Sequence, residues 1–368
     1  MIKKRDKITF IYINAYSQVG GLQQYNKNLI HAFDSLNETI DTVVVSFKDK
    51  SIDVPSYKHV KFVFANGSVF RFLILAFYHS SFSKKVIFGH VNLIFPLAIL
   101  LKLFLFKKIV LITHGIDIWR PLSLPIKSSL YFITKVWTVS TYTQRKIVDF
   151  YPFLKNKIEI LYNTIPDQML IDVEKASSEY LREFYNIPKE NKIILSVSRV
   201  TTTEHGKGYD KVLEVLPEIL NQQKVTYVLA GKAEEGELFR LKQKVKELGV
   251  EQYVVFTNYI SDKDLASVYA SCDVFVLPSS KEGFGIVFIE ALLHGKPVIA
   301  GNKDGSVDAL QFGETGFLVN PDNKSEISNT VSGVLSGKYQ LKGDSRKKTL
   351  DKFGFDSFRN QLNILLSQ

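Results

Sequence analysis

Twice along this 368-residue chain, short apolar runs alternate with stretches of helical spacing. In the first series the apolar runs fall at 8–13, 42–47, 61–64, 86–90, 109–113, 136–140 and 157–161, with helical patterns at 22–36 and 141–150. In the second they fall at 193–197, 226–229, 254–256, 274–277, 298–300 and 316–319, with helices predicted over 209–222, 234–248, 262–271 and 286–294. Strands spaced by helices are joined by crossovers, so each sheet is parallel and covered on both faces. The expected class is α/β, with two doubly wound Rossmann-like domains facing a central cleft. Ligands of such sheets sit beyond the carboxyl ends of the strands. The stretch 163–187 is polar and charged, loses the strand pattern and reads as a linker. It places the first domain at 1–168 and the second at 169–352. Residues 353–366 are apolar at helical spacing, and the tail 353–368 is expected to pack back on the first domain.

Charge is divided unevenly. The net charge is +10, but residues 1–168 hold 22 Lys and Arg against 10 Asp and Glu, a balance of +12, whereas 169–368 hold 25 against 27, or −2. The basic half also contains the most apolar segments, 69–78 and 93–106. The second of these carries Pro96 and Lys102 and, at 14 residues, is too short to span a bilayer. Two readings fit: a buried helix, or a basic, partly apolar face resting on anionic lipid. Nucleic acid, the other usual partner of basic proteins, is set aside because no recognition motif is present. The single cysteine, Cys272, excludes an intramolecular disulfide and a multi-cysteine metal site, and beside an apolar run it reads as packing. The basic start runs directly into the first strand with no signal-peptide core, so a cytoplasmic location is expected.

The unusual polar residues gather at the carboxyl ends of the predicted strands. Gly20 and Gly21 follow the first; without G-x-G-x-x-G spacing they are either a turn or a bare backbone approach to phosphate. His114 follows the fifth, as a turn histidine or a sugar contact. Arg199 and Lys207 bracket the loop after the first strand of the second series, where together they could neutralise a diphosphate. Gly231 follows the next strand. The richest segment runs from Pro278 to Ala291: strand, glycine-containing loop, then helix, an arrangement that offers backbone N–H groups to an anion. Glu282 and Glu290 flank that loop. Glu290 lies between Ile289 and Ala291 on an apolar helix, so a buried carboxylate there needs donors, which ribose hydroxyls could supply.

These residues carry a resemblance. Glu282-Gly283-Phe284-Gly285 through Glu290-Ala291 is similar to the Glu-x7-Glu signature of the retaining glycosyltransferases of family 4, which have the GT-B fold. Gly20-Gly21-Leu22, His114-Gly115-Ile116-Asp117, Val139-Ser140, Tyr162-Asn163, Ser198-Arg199 with Lys207-Gly208, Ala230-Gly231 and Gly316-Phe317-Leu318-Val319 extend the likeness over nearly the whole chain. One departure stands out: members commonly place the lysine five residues after the arginine, and here the separation is eight, with residues 201–206 between.

The resemblance implies a metal-independent, retaining hexosyltransferase that needs no cofactor beyond a UDP- or GDP-sugar donor. Arg199 and Lys207 would bind and stabilise the leaving diphosphate. Glu290 would hold the ribose, and Glu282 the donor-sugar hydroxyls. The backbone at Gly283, Phe284, Gly285, Ile286 and Val287 would contact sugar and phosphate, and that around Tyr259 the base. His114 would contact the sugar from the first domain, and Gly20 and Gly21 would approach the phosphate. Apart from the resemblance, the +12 balance and apolar segments of the first domain point to a glycan or lipid-linked glycan acceptor of cell-surface polysaccharide synthesis, with peripheral contact at the inner face of an anionic membrane. The alternatives are a non-catalytic nucleotide-sugar-binding protein and a GT-B enzyme acting on phosphorylated sugars.

Overall fold

The computed structural model describes residues 6–202, 206–341 and 343–368. The basic residues 1–5, half of the lengthened loop (residues 203–205) and residue 342 lie outside that range. The chain divides into two compact units, 1–164 with 355–368, and 165–354.

The first unit holds strands β1 (Asp6–Tyr12), β2 (Ile40–Ser46), β3 (Val60–Phe64), β4 (Lys85–Phe88), β5 (Lys108–Thr113), β6 (Lys135–Thr138) and β7 (Ile158–Ile160). Its helices are α1 (Gly21–Ser35), α2 (Val69–Ser81), α3 (Leu97–Leu105), α4 (Leu124–Leu130) and α5 (Thr141–Phe150). The sheet is seven-stranded in the order β3-β2-β1-β4-β5-β6-β7, and its pairs are parallel. β1 and β4 are central and covered on both faces, so their residues 8–12 and 85–88 are continuously buried rather than alternating.

In the second unit come α6 (Asp167–Lys175), α7 (Tyr180–Tyr185), β8 (Lys192–Val197), α8 (Tyr209–Leu220), β9 (Val225–Ala230), α9 (Glu235–Glu247), β10 (Val254–Asn258), α10 (Asp262–Ala270), β11 (Val274–Leu277), α11 (Ile286–Leu293), β12 (Val298–Gly301), α12 (Ser306–Ala309), β13 (Phe317–Val319), α13 (Lys324–Leu335) and α14 (Ser345–Phe353). Its sheet is six-stranded and parallel, ordered β10-β9-β8-β11-β12-β13. Both orders run outward in two directions from a central first strand, the doubly wound pattern. A last helix, α15 (Phe355–Ser367), belongs to the first unit, where Phe358 meets Tyr25 of α1 edge-on, with ring centroids 6.2 Å apart.

Two readings of the sequence change. The polar stretch 163–187 is not a plain linker: it forms α6 and α7, and both are fastened to α10, Ser177 N–H donating to Ser267 Oγ and Leu181 N–H to Ser271 Oγ. α6 has no fully buried residue, and its apolar side chains, Met169, Leu170, Ile171 and Val173, are bunched within five positions of a short helix. The helical pattern at 353–366 is broken at Gly354, the extended C-cap of α14, which pairs with Ile165 in an isolated bridge. The chain therefore passes between units at 164/165 and 354/355.

Candidate active site

The loop from Pro278 to Gly285 is held in shape by a buried carboxylate from the neighbouring strand. Asp304, just past β12, is fully buried. Its Oδ2 accepts from Ser279 Oγ at 2.7 Å and from the Glu282 backbone N–H at 2.8 Å, and its Oδ1 accepts from Ser306 N–H at 2.9 Å. Gly305 N–H donates back to the Glu282 carbonyl at 2.8 Å. Burial pushes the Asp304 carboxyl up, while these donors favour its charged form. The approach is so close that side chains are excluded. A Cβ on Gly305 would lie 2.1 Å from the Gly283 carbonyl oxygen, and one on Gly301 would lie 1.8 Å from that of Ser279. Gly285, at φ +86°, then caps α11, whose first turn has no acidic residue and whose N-cap has no side-chain partner. The positive end of that helix dipole is left to an external anion.

Lys207 is brought to this loop by the backbone. Ser280 N–H donates to the Gly206 carbonyl at 2.8 Å. Gly208 sits at φ +92°, where a Cβ would be 2.4 Å from the Pro278 carbonyl oxygen. The result is an ion pair, Lys207 Nζ to Glu282 Oε1 at 2.8 Å, with both side chains less than one-fifth exposed. Lys207 thus has a carboxylate partner that the sequence reading does not assign. An ammonium carries three N–H donors, so the pair is compatible with a further acceptor such as a phosphate oxygen.

Arg199 is exposed at the end of β8. Its neighbours clamp it: Ser198 N–H donates to the Ala230 carbonyl and Val200 N–H to that of Lys232. Gly231 lies inside this clamp, where a Cβ would be 2.0 Å from the Ser198 carbonyl oxygen. Gly231 N–H in turn donates to the Asn258 carbonyl. Asn258 takes a left-handed conformation, φ +57°, that turns the exposed Tyr259 away from β10. Arg199, Gly231 and Tyr259 therefore stand on three successive stitched loops at the carboxyl ends of β8, β9 and β10.

Glu290 is buried in α11, and its donor within the protein is Tyr269, whose hydroxyl reaches Oε2 at 2.7 Å. The need for a donor that the sequence suggested is met in part by α10. Burial raises the Glu290 carboxyl to about 7, opposed by the Tyr269 hydrogen bond. Burial and the adjacent carboxylate push Tyr269 well up. His294 stacks on Tyr269 at 5.3 Å and its Nδ1 donates to the Glu290 carbonyl at 2.8 Å. Phe284 turns inward, meeting Phe353 edge-on at 5.2 Å, so only its backbone faces the loop, beside Gly283, Ile286 and Val287. Cys272 is buried, and burial pushes its thiol up to about 12, so it is packing.

The first unit places its candidates separately. Gly20 precedes α1 in extended backbone, and a Cβ on Gly21 would meet open space. The loop before them is organised by Asp49, which accepts from Tyr12 Oη at 2.8 Å, Ala15 N–H at 2.9 Å, and Ser17 N–H and Oγ at 3.0 and 2.7 Å. His114 Nε2 lies 3.0 Å from the Gly89 carbonyl. A carbonyl only accepts, so Nε2 carries the proton and Nδ1 is the ring's acceptor. Burial holds this imidazole down to about 3, so it is neutral. Asp117 Oδ1 accepts from the N–H groups of His114 and Gly115 at 3.0 and 2.7 Å and so fixes that turn.

Three supporting residues escaped the sequence reading: Asp304, Asp49 and Tyr269. Asp49 and Asp304 follow β2 and β12 directly, so the carboxyl-end position that flagged the other polar residues also applied to them. Tyr269, inside α10, gave no such signal.

A family model for glycosyl transferases group 1 matches residues 177–350. An uncharacterized glycosyltransferase of Methanocaldococcus jannaschii is 27% identical over 237 residues, 63% of this chain and 60% of that protein, so the match spans under two thirds of its length. An alpha-1,3/1,6-mannosyltransferase of Dictyostelium discoideum is 25% identical over 348 residues, 82% of this chain and 80% of that one. Among solved structures, Anabaena HepE in complex with UDP and glucose superposes with a TM-score of 0.75 at 20% identity, covering 99% of this chain and all of the other.

Proposed function

We infer, from a chain of the GT-B fold whose residues 177–350 belong to the glycosyl transferases group 1, that the protein moves a hexose from a UDP- or GDP-sugar to a glycan or lipid-linked glycan acceptor. Retention at the anomeric carbon, independence of metal, a place in cell-surface polysaccharide synthesis and peripheral contact with the inner membrane face complete the reading. The observation that carries it is the Lys207–Glu282 pair at 2.8 Å beside the uncapped N-terminus of α11.

In this reading Glu290 accepts ribose hydroxyls and Tyr259 marks the backbone that meets the base. Glu282, oriented by Lys207 and Asp304, accepts hydroxyls of the donor sugar. The bond from the anomeric carbon to the diphosphate oxygen breaks with its electron pair on the diphosphate. Arg199, Lys207 and the α11 dipole stabilise that charge. The acceptor oxygen bonds to the same face, and its proton passes to the departing phosphate oxygen. On the first unit by itself, His114 Nδ1 offers an acceptor to a hydroxyl, and Gly20 and Gly21 present backbone without side chains.

Incubation with UDP- and GDP-hexoses, with and without acceptor, tests this. Nucleotide release that depends on acceptor and survives a chelator, with the donor's anomeric configuration kept in the product by NMR, is expected. Inversion would overturn the retaining assignment, and product formed only with inorganic phosphate would overturn glycosyl transfer from a nucleotide sugar.

A further inference from the structure

The apolar segments of the first unit are neither fully buried nor long enough to span a bilayer. β3 to β4 and β4 to β5 step the same way along the sheet, so right-handed crossovers put α2 and α3 on one face. The helices pack against each other, and Lys107 Nζ of the α3 end donates to the Ser81 carbonyl of the α2 end at 2.6 Å. Inward, α2 buries Phe72 and Ala76, and α3 buries Leu97, Ala98 and Leu101. Outward, α2 presents Phe70, Ile74 and Tyr78 at i, i+4 and i+8, one helical face, exposed by 76%, 52% and 56%. α3 presents Leu103 and Phe104, followed by Phe106, at 54%, 70% and 83%. Helices apolar all round belong in a core or in lipid, and these are half in a core.

Charge shows what covers the other half. The stretch 54–116, which contains both helices, has eight Lys and Arg and no Asp or Glu. Arg71 lies on α2 and Lys102 on α3. Lys61 acts on His79 of α2, and Lys102 acts on Lys157, in each case adding to burial in disfavouring the charged form. An apolar ridge on helices that carry cations and no acidic residue complements a surface that is apolar within and anionic at its boundary. α2 and α3 have 13 and 9 residues, against roughly 20 for a span, so they would lie in the interfacial plane. We propose that this face of α2 and α3 docks on an anionic phospholipid bilayer, with the aromatic ridge in the headgroup–acyl boundary and Lys61, Arg71 and Lys102 on the headgroups.

The inference names the surface for the membrane contact in the reading above and rests on that reading, but its vesicle-binding readout needs neither donor nor acceptor. The full chain is floated with phosphatidylcholine vesicles, with or without phosphatidylglycerol. Binding to the anionic vesicles is expected, weakening with salt. Arg71→Gln and Lys102→Gln should each lower the partition constant about five-fold. Phe70→Ser with Phe104→Ser should lower it at least ten-fold while leaving the melting temperature and transfer to a soluble acceptor unchanged. Failure of the wild type to bind anionic vesicles, or binding indifferent to the double Phe substitution, overturns the proposal. Self-association that the double substitution abolishes, with no vesicle binding, would assign the face to a second copy instead. Vesicle binding without transfer would fail the activity and leave the surface standing.

Discussion

Asp304 accepts the backbone N–H of Glu282 at 2.8 Å, and Gly305 returns a hydrogen bond to the Glu282 carbonyl at the same distance. The loop that carries Glu282 is thus shaped by the strand next to its own. Asp304→Ala removes three accepted hydrogen bonds from a buried cluster. It should cost about 2 kcal/mol of stability and about 100-fold in transfer, with nucleoside diphosphate affinity falling much less because Glu290 and Arg199 are untouched. Calorimetry and steady-state kinetics on one preparation check it; an equal loss of nucleotide affinity would mean Asp304 supports the whole fold instead.

Lys207 and Glu282 should behave as a coupled pair. Glu282→Ala is expected to lower the transfer rate by about 10²–10³-fold. Lys207→Met leaves a largely buried carboxylate alone and should destabilise the protein by about 3 kcal/mol. In a double-mutant cycle the two should be non-additive in unfolding free energy by at least 0.5 kcal/mol. Simple additivity would show that their 2.8 Å contact carries no energy.

Glu290 gives a pH dependence with a definite sign. Its carboxyl is raised from 4.5 to about 7, mainly by burial. A raised acid stabilises the fold below its unfolded value, and that contribution fades as pH climbs from about 4.5 through about 7. The wild type should therefore lose on the order of 3 kcal/mol relative to Glu290→Gln across that window. Ribose hydroxyls bind best to the charged carboxylate, so diphosphate affinity should rise with pH through about 7 more steeply in the wild type than in Glu290→Gln, where only the terminal phosphate's own ionisation remains. Titration calorimetry at several pH values reads both proteins.

Gly208→Ala tests the stitched loops. The new methyl would meet the Pro278 carbonyl at 2.4 Å in a left-handed backbone. Either the Lys207–Glu282 pair or the start of α8 must give way, so a loss of more than 2 kcal/mol with weakened diphosphate binding is expected in denaturant unfolding. An unperturbed melt would mean the loop relaxes freely.

Much of this architecture was legible because strands buried on both faces write continuous apolar runs, as in residues 8–12 of β1 and all of β11. The Glu282–Glu290 segment was legible because glycine, carboxylate and helix start fall together beyond a strand. α6 was not, because its apolar residues, Met169, Leu170, Ile171 and Val173, fall within five positions, too few turns to show a helical repeat. Lys207's partner was not, because an ion pair across 75 residues depends on how the Gly206 and Ser280 backbones are joined. Nor was Tyr269, whose role is set by the facing helix and not by its own neighbours in sequence.

The central claim is that Glu290, Lys207 and Arg199 form a nucleoside diphosphate site. Thermal unfolding of the full chain with UDP, GDP, ADP or CMP in excess tests it most directly. At about 100 times its dissociation constant, the matching diphosphate should add about 2.7 kcal/mol. That gain should vanish in Glu290→Ala while CMP leaves both proteins unchanged. If no diphosphate stabilises the wild type, or if Glu290→Ala keeps the whole effect, the site has been assigned to the wrong residues.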